Sequence, residues 1–218
     1  MNLQFIFIFL LSIHIACGFT SLFSAFSAML SSKGQSKHRL FGKLFFYGMT
    51  GVFITAIPLA LIKSNLFLFL IAIFSYYLAF TGWRYAKNRS GLPIKLDWTV
   101  STIMLIASLV MICLSIYSFK SGDFKSIVLL VFGIIGSISS ISDLKTYHNQ
   151  NAIGKDRIVK HLSRMVGATI AALTAFSVTN IPLKPQIFLW LGPTVLLVPI
   201  IFWWKHKVLK SKNGYNIR

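Results

Sequence analysis

Charged residues are scarce in this chain, and acidic residues are the scarcest. Only 12% of the 218 residues are charged, and only 4 of them are acidic, whereas soluble domains carry about 25% charged residues. Water is therefore the wrong solvent for most of the surface. Hydrophobic residues make up 56% of the sequence. We expect a single integral membrane domain over residues 1–218 and no soluble domain.

The motifs of common soluble enzymes and metal sites are also missing. The sequence has no HExxH or His-x3-His pair for zinc, no phosphate-binding loop and no dinucleotide glycine pattern. The 2 cysteines, Cys17 and Cys113, lie inside apolar runs and form no CxxC pair, which favours packing roles. We predict no metal site from a motif, assign no catalytic residue and lean against an enzyme.

Long apolar runs dominate what remains. Seven of them approach the ~20 residues that cross the hydrocarbon core of a bilayer as a helix. The first run has no preceding lysine or arginine, so we interpret it as a retained helix and not as a cleaved secretory signal. The predicted fold class is all-α, a polytopic membrane helix bundle with seven transmembrane helices at about 4–30, 41–62, 65–84, 98–119, 126–143, 162–181 and 186–204.

Basic residues are divided unevenly between the two sets of helix ends. Of the 22 lysines and arginines, 18 lie where runs one, three, five and seven end, and 4 lie at the opposite ends. Positively charged loops stay in the cytoplasm, so the N-terminus is predicted outside and the C-terminus in the cytoplasm. This topology also explains the net charge of +18 without nucleic acid, whose binding needs a basic face on a soluble domain.

Polar residues on the basic side would meet in a cytoplasmic mouth. Two histidines, three arginines and two aspartates lie at these helix ends: His38, Arg39, Arg84, Asp97, Asp143, His161 and Arg164. Basic side chains beside helix N-termini favour anions. The best prediction of function is therefore binding or moving a small anion or lipid headgroup, with the aspartates as internal counter-charges. The alternative is that these residues only set topology and contact the anionic headgroups of the bilayer.

His14 differs from these residues because it lies near the middle of the first run. An ionisable group at membrane depth predicts a function, here a buried polar contact of the ligand site; a neutral histidine that only bonds across to a neighbouring helix is the alternative. A redox membrane subunit that binds b-type haem or quinone is a second predicted function. His14 lies about 15–20 Å from His38, His148 and His161 at 1.5 Å per residue, which disfavours a haem ligated through His14 and leaves open a His38–His161 pair near the surface.

A third prediction is an assembly or interaction subunit without a site of its own. Gly133 and Ser137, and likewise Gly136 and Ser140, have the four-residue spacing that lets helix backbones approach closely in lipid. Such faces serve contacts within a chain and between chains. A homo-oligomer or a partner in a membrane complex therefore stays open.

Several of these positions form short motifs that resemble an uncharacterised family of multi-helix bacterial membrane proteins, a domain of unknown function of the Bacteroidetes type. The motifs are His14-x3-Gly18, His38-Arg39-x2-Gly42-Lys43, Gly82-Trp83-Arg84, Asp97-Trp98 and His161-x2-Arg164-Met165-x-Gly167. The resemblance extends over nearly the whole chain and implies a bacterial inner (cytoplasmic) membrane location. It implies no activity, cofactor or substrate.

Overall fold

Seven α-helices make up the computed structural model, which describes residues 2–119 and 122–211. They are α1 (Leu3–Leu30), α2 (Ser36–Ile62), α3 (Leu66–Lys87), α4 (Lys95–Ser118), α5 (Phe124–Asn149), α6 (Gly154–Asn180) and α7 (Ile187–Lys210). Each is long and apolar enough to cross a membrane, which confirms the predicted all-α class and the number of helices. Lys120, Lys212 and Arg218, which the charge count includes, lie outside the described residues.

Four helices continue at least five residues beyond their apolar runs, and these four extensions all lie at the same end. α2 begins at Ser36, α5 ends at Asn149, α6 begins at Gly154 and α7 ends at Lys210. Hydropathy detects only the apolar part of a helix. The backbone hydrogen bonds of the helix continue into the next turns, where the side chains are polar. As a result His161 and Arg164, which were predicted to open the sixth helix, lie about two and three turns inside α6.

Four of the helices form a closed ring. α1 packs against α2, α2 against α3, α3 against α6, and α6 against α1. We call this group the four-helix ring. Because of this order, α2 and α6 face each other across the ring. The α4–α5 hairpin packs against α3 from outside, and α7 packs against α6 and α5.

The helix ends that carry most of the basic residues lie together. We call this the basic end; α1, α3, α5 and α7 end here, and α2, α4 and α6 begin here. Lys155 Nζ donates to the Leu209 carbonyl at 2.9 Å, which joins the start of α6 to the end of α7. His38 Nδ1 lies 2.9 Å from the Ala28 carbonyl, which joins the start of α2 to the end of α1.

α4 and α5 approach each other closely at the small residues of α5. A Cβ added to Gly133 would lie 3.0 Å from the Ser108 carbonyl oxygen and 2.8 Å from Cγ1 of Ile112. A Cβ on Gly136 would lie 2.5 Å from the Ser108 hydroxyl oxygen. The predicted close-approach face is confirmed at these two glycines, and a helix carbonyl cannot easily move away from a new methyl group.

Alanine at Gly133 is expected to lower the stability of the protein by about 1–3 kcal/mol, the usual cost of overpacking a well-packed core. The measurement is thermal unfolding of the purified protein in detergent. Gly18→Ala is the matched control, because a Cβ there meets nothing within 4 Å. The control should unfold at or slightly above the wild-type temperature, since alanine favours a helix over glycine. Equal unfolding temperatures for the two variants would contradict the close approach of α4 and α5.

Candidate functional site

The basic end holds seven of the eight predicted site residues, and the structure places six of them in three groups. Two are ion-paired clusters, one around Asp97 and one around Asp143. The third is a pair of imidazoles, from His38 and His161. Arg39 is exposed on α2, and His14 lies on α1 in the other half of the four-helix ring.

Asp97 ties the start of α4 to the end of α3. Its two carboxylate oxygens accept hydrogen bonds from Arg84 Nε at 2.6 Å and Nη2 at 2.8 Å, the forked geometry in which arginine binds carboxylates most strongly. The same carboxylate accepts from the Ile94 backbone N–H at 2.9 Å, one of the unpaired groups at the start of a helix. Asp97 is 1% exposed, so this ion pair is shielded on the aspartate side.

Asp143 on α5 is fully buried and is the centre of a larger cluster. Arg164 on α6 donates to it through Nη2 at 2.9 Å and Nε at 3.3 Å. Two tyrosines of α3 donate through their hydroxyl groups, Tyr77 at 2.5 Å and Tyr85 at 2.8 Å. Lys160 on α6 lies 3.4 Å away. Arginine, lysine and two hydroxyl groups therefore surround one carboxylate, and three helices meet at it.

Arg164 is held on α5 by more than its ion pair. Its Nη1 donates to the Ser139 hydroxyl at 2.9 Å, and its Nη2 donates to the Ser139 carbonyl at 2.9 Å. The sequence predicted the aspartates as internal counter-charges, and Asp143 pairs with Arg164 in that way. The guanidinium of Arg164 is therefore bound within the protein, and the guanidinium of Arg84 is bound by Asp97 in the same way. Less positive charge is free for an external anion than the sequence suggests.

The histidine pair lies on the four-helix ring. The imidazole centres of His38 and His161 are 6.3 Å apart, and their planes are at 88°. His38 is on α2 and His161 is on α6. Their imidazoles therefore approach each other from opposite sides of the four-helix ring. Both side chains are partly buried.

Hydrogen bonds determine the protonation of both rings. His38 Nδ1 is 2.9 Å from the Ala28 carbonyl oxygen, and His161 Nδ1 is 2.8 Å from the Gly82 carbonyl oxygen. A carbonyl oxygen only accepts, so Nδ1 carries the proton in each ring. In the neutral imidazole the lone pair is then on Nε2. Within residues 2–119 and 122–211, no hydrogen bond engages either Nε2 atom.

His14 makes a different contact, with the neighbouring helix α2. Its Nδ1 is 2.9 Å from the Thr55 hydroxyl oxygen, and that hydroxyl donates its own proton to the Gly51 carbonyl at 2.7 Å. The histidine must therefore be the donor. This is the contact expected of a neutral histidine bonded across to a neighbouring helix, and it is separate from the groups at the basic end.

Some members of the clusters were not predicted as site residues. They are Tyr77, Tyr85, Arg157 and Lys160. The sequence does indicate the two basic residues, because Arg157, Lys160, His161 and Arg164 are spaced to lie on one face of a helix. It does not indicate the tyrosines, because a tyrosine in an apolar run is expected to pack as a hydrophobic residue.

Metal chemistry with three or more protein ligands has no support in the described part of the chain, where no group of three histidine, cysteine or acidic side chains converges. What the basic end does offer is two imidazoles whose centres are 6.3 Å apart, each with its Nδ1 turned to a backbone carbonyl. Two imidazoles in this relation can act as the two protein ligands of a metal whose other positions are filled by a cofactor.

Asparagine at Asp143 is expected to destabilise the protein by about 3–5 kcal/mol, because it leaves the buried charges of Arg164 and Lys160 without an anion. The measurement is thermal or denaturant unfolding in detergent. Adding Arg164→Gln to Asp143→Asn should recover part of the loss.

The matched control is Asp123→Asn. Asp123 lies 3.9 Å from Lys125 in an exposed pair, and exposed pairs contribute about 0–1 kcal/mol. A loss of the same size at both positions would mean that Asp143 does not act through burial and pairing.

The chain matches no protein-family model, no curated protein and no solved structure. The interpretation of the site therefore depends on its own geometry.

Proposed function

We propose that this protein is a redox protein of the bacterial inner membrane that binds one b-type haem between His38 and His161. The observation that carries the proposal is the 6.3 Å separation of the two ring centres. An imidazole–metal bond is about 2 Å and the ring centre is about 1 Å from its nitrogen, so two imidazoles on opposite sides of one metal have centres about 6 Å apart. The measured separation agrees with this value.

The hydrogen bonds of the two rings support the same conclusion. A histidine that ligates a metal almost always donates its other N–H to a carbonyl or carboxylate, which orients the ring and makes the ligand nitrogen more basic. His38 and His161 each do this with a backbone carbonyl. The two backbone carbonyls thus orient both rings within the protein.

The position of the pair in the fold is also favourable. Cofactor sites in helix bundles are built in the bundle core from side chains on facing helices, and α2 and α6 face each other across the four-helix ring. A bound haem would supply one-electron chemistry, with its potential set by the axial ligands and their hydrogen bonds. Quinone binding at the same end is the alternative within the redox class.

Purified protein is expected to be coloured, with a Soret band and iron in a ratio of about one per chain, as two histidines for one haem require. Near-perpendicular imidazole planes should give a strongly anisotropic low-spin signal in the ferric protein by electron paramagnetic resonance. Alanine at His38 or His161 should abolish the six-coordinate spectrum because it removes one axial ligand.

His148→Ala is the control for this experiment. His148 is exposed near the end of α5 and should leave the spectrum unchanged. A colourless wild-type protein that contains no iron would refute haem binding, and copper in place of iron would assign the two imidazoles to a bare metal ion.

The proposed orientation has an outside N-terminus and a cytoplasmic basic end. Its support is the distribution of lysine and arginine between the helix ends. In a variant with Cys17 and Cys113 replaced by serine, Lys63→Cys should react with a membrane-impermeant thiol reagent in intact cells. Lys87→Cys and Lys155→Cys should react only after the membrane is opened. Labelling of Lys87→Cys and Lys155→Cys from opposite sides would refute the orientation.

Anion or headgroup binding at the basic end stays a prediction. Arg84 and Arg164 are engaged by aspartates, so Arg39 is the one arginine of this prediction without a carboxylate partner among the described residues. Since exposed lysine and arginine side chains also contact lipid phosphates without a specific site, the haem proposal has the stronger geometric support. An assembly role without a site also stays a prediction.

A further inference from the structure

Arg157 is a buried cation without a carboxylate partner among the described residues. It lies in the first turn of α6 and is 9% exposed. Its Nη1 donates to the carbonyl oxygens of Tyr85 and Ala86 at 2.8 and 2.9 Å. The four ion pairs within residues 2–119 and 122–211 do not include it.

The end of α3 compensates this charge only in part. The two carbonyl groups belong to the last turn of α3, where the unpaired carbonyls of a helix carry about half a negative charge. A guanidinium has five N–H donors, and Nη1 accounts for two of them. Neither Nε nor Nη2 has a hydrogen-bond partner in the described part of the chain. A buried charge in this state is stabilised by an anion.

Arg157 lies beside the histidine pair. It precedes His161 by four residues, so the two side chains share one face of α6. His161 bonds to the Gly82 carbonyl, and Arg157 bonds to the carbonyls one turn further along α3. Arg157 is therefore one turn closer to the basic end than the imidazoles, on the same side of α6.

Two other basic groups near the pair, Arg164 and Lys33, are engaged elsewhere, and Arg39, which follows His38, is exposed on the surface of α2. Arg164 is bound to Asp143. The ammonium of Lys33 lies on the carbonyls that end α1, at 3.5 Å from Ala28 and 3.3 Å from Ser31, and over the ring of Trp204. Burial lowers the pKa of Lys33 from its ordinary value, which further reduces its use as an anion ligand.

We propose that Arg157 binds a carboxylate of the cofactor, namely a propionate group of the haem held by His38 and His161. This inference rests on the proposed function. Haem has two anionic propionate groups on one edge, and a haem in a membrane bundle directs that edge toward the nearer polar surface. Here that surface is the basic end, where Nε and Nη2 of Arg157 have no hydrogen-bond partner among the described residues.

The test compares haem with its dimethyl ester, in which both carboxylates are neutral. Full-length protein from cells limited in haem is reconstituted with each form, and the affinities are measured from the Soret band. A hydrogen bond to a charged group contributes about 1.5–3 kcal/mol, so the wild type should prefer haem over the ester by about tenfold or more. R157Q should lose most of this preference while it binds the ester as well as the wild type does.

R89Q is the matched control, because Arg89 is an exposed arginine at the same end and its replacement removes the same charge. It should keep the wild-type preference. Should R157Q fail to fold, R157K takes its place with a smaller loss of preference, since lysine keeps the charge but not the fork.

Three results would overturn the inference. An undiminished preference in the Arg157 variant means that the propionates bind elsewhere. Equal weakening of both forms means that Arg157 only joins α6 to α3. A wild type that binds neither form refutes the haem site itself. This failure differs from the first two because it is seen in the wild type, without any Arg157 variant.

Discussion

Asp143 is the group on which the packing between the four-helix ring and the α4–α5 hairpin depends. It is fully buried, and a buried carboxylate is tolerated only where donors surround it. Those donors come from α3 and α6, which are neighbours in the ring, so satisfying one carboxylate brings three helices to one point. The pair of Arg84 with Asp97 joins α3 to α4 in the same way at the edge of the basic end. Apolar residues surround these ion pairs on most sides, so water could not replace a lost partner without a large cost in free energy.

The ion pairs also divide the basic end by chemistry. On the hairpin side, charges are paired with charges and serve packing. On the four-helix ring, the imidazoles of His38 and His161 are oriented by backbone carbonyls and keep a nitrogen lone pair each. The free nitrogen of a neutral, oriented imidazole can bind a metal, whereas an arginine already paired with a carboxylate has little charge left for another partner. Arg157 lies between the two chemistries, since carbonyl dipoles hold it and none of the ion pairs in the described ranges includes it.

Much of the fold could be predicted because hydropathy is a local property. Every predicted apolar run is a helix, and the small residues Gly133 and Gly136 do meet α4. The predicted helices were too short at the basic end, because polar residues continue a helix without raising its hydropathy. For the site, the rise of 1.5 Å per residue separated His14 from His38 and His161 correctly in depth. The hydroxyl groups of Tyr77 and Tyr85 could not be foreseen, since nothing in a tyrosine's sequence context marks it as a carboxylate partner.

The sequence by itself determined the number of helices and the end of the bundle at which the basic residues gather. Both follow from segments of about 20 apolar residues that alternate in direction, and neither requires knowledge of which helices touch. Only the tertiary structure decided that Asp143 faces Arg164, that Asp97 faces Arg84 and that α2 and α6 stand across a ring. Helix pairing in an apolar solvent is driven by side-chain fit and interhelical hydrogen bonds and not by hydropathy. Those contacts join residues far apart in the chain, and so they become visible only in the folded molecule.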